Sequence, residues 1–174
     1  GGRDRVASRR VAVTLAASPD GSTLYAGLRD GQVMRWPRGG QDPQPVTQHE
    51  GAVRAIAVTQ SALASSGRDG VRVFSPLTAK EPTIGLDRPV GAMTWTPSGL
   101  IVGLERDLFL VNADASAPKW SGHRDTVTAL ASSRHWPLVS GSSDGTVRAW
   151  SQGRPVARLS AFPSGVVALA GDLQ

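Results

Sequence analysis

The 174-residue sequence contains no cysteine, which excludes disulfides, thiolate zinc sites and a covalently attached haem within these residues. Long hydrophobic runs are also missing, so no stretch approaches the length needed to span a bilayer; a soluble chain without membrane association is expected. Lysine is nearly absent. Of the 19 basic residues only Lys80 and Lys119 are lysine and the rest are arginine, against 14 acidic residues, for a net charge of +5. The arginines are scattered along the chain, so charge alone leaves open a solvated basic surface, an anionic protein partner and nucleic acid. No phosphate-binding Gly loop, paired catalytic carboxylates or metal-ligand spacing is present, and neither a cofactor nor a metal is expected. The start, GGRDRVASRR, has neither an initiator Met nor the apolar core of a signal peptide. A processed chain or part of a longer polypeptide is expected from it, and the compartment stays open.

What the sequence does have is glycine, 20 residues of it, placed at regular turns. Residues 138–151, LVSGSSDGTVRAWS, set two runs of strand-forming residues around Asp144-Gly145, a strong hairpin signal. Residues 24–37, LYAGLRDGQVMRWP, repeat the pattern without a gap, with Gly27, Asp30, Gly31, Val33 and Trp36 matching Gly141, Asp144, Gly145, Val147 and Trp150. A third copy at 63–75 has Asp69-Gly70 and places Phe74 where Trp stands, 38 residues after Trp36. A fourth, at 99–112, is degraded: Gly103 survives, Asp107 precedes Leu108, and Val111 holds the Trp place.

A Gly-His pair (Gly122-His123), a strand, then Ser-Gly, Asp-Gly and a terminal Trp resembles a WD40 repeat, one four-stranded blade of a β-propeller. The resemblance implies an all-β WD40-type propeller with about four blades and the start of a fifth, a partial ring. Blade limits fall near 8–48, 49–86, 87–121 and 122–160, with a partial blade over 161–174. Short outer-strand character is expected at 3–8, inner strands at 12–17, 53–58, 90–95 and 126–131, and a fifth inner strand from Val166 to Ala170. Ser18-Pro19-Asp20-Gly21 suits a turn between the first two strands. The segment 37–43 reads as a polar loop joining one blade to the outer strand of the next. A single blade cannot bury both faces of its sheet, so further blades from the same or another chain are expected to complete the ring.

Ser140, His123 and Asp144 are also the ingredients of a nucleophilic triad, but no strained nucleophile elbow surrounds Ser140. The resemblance implies a buried structural network instead, in which Asp144 accepts from His123, His123 engages Ser140, and Ser140 accepts the indole N–H of Trp150. No catalytic residue is assigned on this reading. The second blade retains His49, Ser65 and Asp69 but has Phe74 for Trp. The first retains Asp30 and Trp36, with Ala26 at the Ser position and Ser8 at the His position. In the third, Leu86, Val102 and Val111 leave only Asp107, shifted by one.

The residue before each hairpin Asp is Arg29, Arg68 and Arg106 in the first three blades and Ser143 in the fourth. Repeat geometry would place three guanidinium groups on one rim, where they suit an acidic protein partner; the alternative is that each pairs with the Asp beside it. His135 and Trp136 lie together in a loop. His135 reads as a surface residue, while Trp136 either anchors a contact or packs under its own loop, with the second preferred. Trp95 and Trp120 read as core. The resulting function is a non-catalytic scaffold for protein–protein interaction. A propeller attached to a catalytic or redox module outside these residues, and an anion or nucleic-acid binder using the arginine surface, are the alternatives.

Overall fold

The computed structural model describes residues 11–74, 83–84, 86, 90–111, 118–133, 135–160 and 162–170. The expectations for the strand at 3–8 and for Ser8 lie outside them. Strands alone form the regular structure of these residues, so no helix is long and apolar enough to cross a membrane.

Among the described residues sixteen strands group into four antiparallel sheets of four, each a simple meander. The first contains β1 (Ala12–Ala17), β2 (Thr23–Leu28), β3 (Gln32–Pro37) and β4 (Gln44–Gln48). The second contains β5 (Ala55–Val58), β6 (Leu63–Gly67), β7 (Gly70–Phe74) and β8 (Thr83–Ile84). The third contains β9 (Ala92–Thr96), β10 (Gly99–Leu104), β11 (Asp107–Val111) and β12 (Lys119–Ser121). The fourth contains β13 (Val127–Ala131), β14 (Val139–Ser142), β15 (Thr146–Ser151) and β16 (Arg154–Ser160). The innermost strands β1, β5, β9 and β13 pack side by side in that order, which fans the sheets around an axis. Leu15, Ile56, Met93 and Leu130 from these strands line an axial cavity of about 370 Å³.

The loop after β3 leads into β4, the outer strand of the same sheet rather than of the next, because β4 pairs back onto β3 from Gln32↔Gln48 to Arg35↔Gln44. In the SPDG turn the Ser18 hydroxyl donates to Asp20 at 2.6 Å and the Ser22 N–H at 3.0 Å. The Ser18 bond first, then those from Ser22, hold the Asp20 carboxyl down to about 2.

A buried valine ties each sheet to the one before it. Val53 and Val127 sit against Gly27 and Gly103 of the preceding sheet, while Val90 accepts from Ser66 through its carbonyl. All three valines are 1% exposed, and full burial of such a side chain contributes about 1.5–3 kcal/mol. Val166 repeats the arrangement against Gly141 of the fourth sheet, and its N–H donates to Ser142 O at 3.0 Å. Residues 165–170 form no strand, however, contrary to the sequence expectation. A fifth inner strand needs a second strand to pair with, and none stands beside it among the described residues.

Among the described residues the fan ends at the first and fourth sheets. On the first sheet Leu15↔Ala26 and Leu24↔Trp36 share the face that points away from the second sheet; Leu15 and Leu24 are 62% and 43% exposed there, whereas Ala26, Leu28 and Met34 on the same face are buried. On the fourth sheet Val139, Val147, Ala149, Ala157 and Leu159, with Trp136, line an apolar hollow of about 370 Å³. Trp136 is 51% exposed there, so it does not pack away under its own loop as the sequence reading preferred. Trp95 and Trp120 are half-buried, Trp95 donating its indole N–H to Ala57 O at 3.2 Å and Trp120 stacking on Trp150.

Candidate functional site

The hairpins that form one rim of the fan come in two lengths. In the first and fourth sheets the turn includes a glycine with positive φ, Gly31 at 91° and Gly145 at 75°, a conformation that L residues resist. Gln32 and Thr146 then follow, each donating its N–H to the hairpin carboxylate, Asp30 or Asp144. The second and third hairpins are tighter, pairing Gly67↔Gly70 and Leu104↔Asp107 across two residues.

Beneath the fourth hairpin lies a closed network. Trp150 Nε1 donates to Ser140 Oγ at 2.7 Å, and Ser140 Oγ lies 2.6 Å from His123 Nε2. A hydroxyl has one proton to give, so with the indole donating to it Ser140 donates to Nε2; the ring proton is thereby assigned to Nδ1, which faces Asp144 Oδ2 at 3.2 Å. Burial is the largest influence on His123 and pushes its pKa down, opposed by Asp144, in keeping with a neutral ring. Burial would raise the Asp144 pKa, but the Thr146 hydroxyl, the Arg124 and Thr146 N–H groups and His123 together outweigh it and hold the carboxyl well below the usual range. Ser140 is 0% exposed, so its hydroxyl has no access to a substrate, whereas a catalytic serine needs an open face beside an oxyanion hole.

The second sheet holds a reduced version, with His49 bonded to Asp69 at 2.6 Å and to Ser65 at 2.8 Å. Phe74 offers no donor, and Arg72 instead clasps Asp69 Oδ2 through Nη2 at 2.8 Å and Nε at 3.2 Å. In the third sheet Val102 takes the Ser place at 0% exposure, and Leu86 and Val111 pack against the same core. Removing every polar member at once leaves no buried group stranded, which is why this sheet tolerates the loss. In the first sheet Trp36 packs on Ala26, Leu28 and Met34.

The register corrects one of the three rim arginines. Gly103 pairs with Leu108 as Gly27 pairs with Val33, so Glu105, at φ 51°, holds the place of Arg29 and Arg68. Arg106 falls one position later, at the hairpin Asp place, and Asp107 bonds Lys119 Nζ at 2.8 Å from within β11. Arg29 and Arg68 are exposed, and neither guanidinium makes a hydrogen bond or ion pair among the described residues. Asp69, the neighbour Arg68 would pair with, is already occupied by His49 and Arg72. Arg68 lines a hollow of about 530 Å³ with Arg54, Gly51, Val53 and Gly91, and among the described residues no carboxylate contributes to its wall. Arg54 was not visible as a rim residue in the sequence because nothing in the repeat pattern marks its position. No group of three or more metal-ligating side chains converges among the described residues.

Residues 116–151 match the WD40 family, described as "WD domain, G-beta repeat". They contain His123, Ser140, Asp144 and Trp150, the full network. The four repeated sheets have the fold of a WD40-type β-propeller. A chain of the "Crystal Structure of Mitotic Checkpoint Complex" superposes on it with a TM-score of 0.79 at 21% identity, over 92% of this chain and 54% of that one. The chain therefore spans about half the length of this structural relative, and the likeness concerns the fold. No curated protein matches the sequence. Matches extend to 948 chains of solved structures, so the fold by itself selects no partner.

Proposed function

We propose that this WD40-type propeller is a scaffold that binds an acidic segment of a partner protein on its hairpin rim, through Arg68 and Arg54, with Arg29 at the equivalent hairpin position of the first sheet. The observation that carries the reading is the hollow of about 530 Å³ whose wall includes two guanidinium-bearing residues and, among the described residues, no carboxylate. A planar guanidinium with no internal partner keeps its bidentate fork for an incoming carboxylate. Further blades, from this polypeptide or another chain, would cover the apolar faces of the first and fourth sheets.

The test is capture of a labelled Glu-rich peptide by the wild-type chain and by the Arg29→Glu, Arg68→Glu double variant at low and high salt. Binding that weakens with salt and is lost in a normally folded variant is expected. Unchanged capture by the variant would overturn the rim assignment and direct attention to the opposite face, where His135 and Trp136 are exposed.

A further inference from the structure

The fourth blade contains a second arginine cluster that the rim reading does not use. Arg148 on β15 stands directly opposite Arg158 on β16, so the two side chains emerge on the same sheet face, a like-charge pairing that destabilises a sheet when nothing neutralises it. Arg124, in the loop after His123, adds a third positive charge felt by Arg148. None of the three guanidinium groups makes a hydrogen bond or ion pair among the described residues, and Arg148 Nε is buried without a partner.

The contrast with the second blade explains why. Arg72 and Arg148 hold the same cross-strand place, opposite Ser65 and Ser140. In the tight second hairpin Arg72 reaches Asp69. In the fourth, the extra residue Thr146 gives both its hydroxyl, at 2.6 Å, and its N–H, at 2.9 Å, to Asp144 Oδ1. The Arg124 N–H and His123 take up the rest of that carboxylate. Asp144 is thus nearby with both oxygens engaged, and it makes no bond to Arg148. Gly122 keeps the approach clear, since a Cβ there would lie 3.3 Å from Arg148 Nη1. Arg124 and Arg158 are exposed, so the cluster is open to solvent.

We infer that Arg124, Arg148 and Arg158 form a site for a single phosphoryl group on a segment of a partner protein. Three cations set against the Asp144 charge leave a surplus that suits a phosphate with about two negative charges better than a carboxylate with one. A nucleic acid fits less well: Asp125 follows Arg124 directly, Asp107 lies on the adjoining blade, and Trp150 is 2% exposed, too buried to stack on a base. The partner class rests on the scaffold reading above; the anion site does not.

The experiment follows the side-chain Nε–H resonance of Arg148 in the full chain during titration with inorganic phosphate, acetate or chloride at matched ionic strength. Phosphate is expected to move it saturably and chloride not at all. Arg158→Gln and Arg124→Gln, both at exposed positions, should each weaken phosphate binding about tenfold with unchanged thermal stability. A shift that merely follows ionic strength, or no shift, would overturn the site, and acetate binding as tightly as phosphate would overturn its phosphoryl assignment. A phosphoserine peptide should bind better than its unphosphorylated form and better than a short single-stranded oligonucleotide; the reverse order would overturn the protein-borne source. The Arg29→Glu, Arg68→Glu variant should keep the phosphate response, so failure of the rim and failure of this site are read separately.

Discussion

The indole N–H of Trp150 ends on the hydroxyl of Ser140, 2.7 Å away, deep in the seam between the third and fourth blades. Ser140→Ala would strand that N–H and the Nε2 lone pair of His123 together, a loss of about 1–3 kcal/mol. In a Trp150→Phe background, the arrangement Phe74 shows to be tolerated in the second blade, the same substitution should cost less. The difference, measured by urea unfolding of the four variants, is the coupling between the two residues. Equal costs in both backgrounds would mean that the bond contributes nothing.

Acid should destabilise the chain in two stages. His123 titrates lower in the folded state than its unfolded value, so its contribution is complete above about pH 6.5 and is lost as the pH falls through the folded value. Asp144, Asp69 and Asp107 are also depressed; their contribution is present above about pH 4 and disappears below it. Urea midpoints across this range should fall on acidification, and His123→Gln should flatten only the upper stage. A midpoint that rises from neutral pH to mild acid would contradict the neutral, buried ring.

Gly141→Ala should destabilise by about 1–3 kcal/mol through overpacking, because the added Cβ would overlap Val166 Cγ1. Adding Val166→Ala should relieve part of the loss. Gly91→Ala is the control, since its Cβ would meet only Val127 O at 3.7 Å. Thermal melts of the three variants check the ranking, and equal melting of Gly141→Ala and Gly91→Ala would refute the contact.

The apolar side chains at the two ends of the fan should make residues 1–174 associate. Leu15 and Leu24 on one side and Val156 and Leu159 on the other are 43–62% exposed, and exposed apolar sheet residues of this kind drive self-association. Sedimentation should show mass rising with concentration, and Leu15→Glu combined with Leu159→Glu should suppress it. A wild-type chain that stays monomeric at every concentration would show that these faces are harmless.

Much of this was legible in the residues themselves. The hairpins at Asp30-Gly31, Asp69-Gly70 and Asp144-Gly145 follow from turn chemistry, which is local, and the strand limits follow from apolar runs a few residues long. The repeat near 38 residues determined that four sheets would form and which residues would recur at equivalent places, because every repeat meets the same neighbours. Tertiary structure alone decided what depends on partners distant in sequence. Glu105 rather than Arg106 occupies the third rim position because the register with β11 closes that hairpin in two residues. Trp136 is exposed because its loop borders a face with no neighbouring sheet among the described residues. Arg148 is left unpaired although Arg72 is not, because one added residue, Thr146, captures the carboxylate that the guanidinium would otherwise reach. In each case the competing partners are brought together only by folding, and their distances decide which of them pairs.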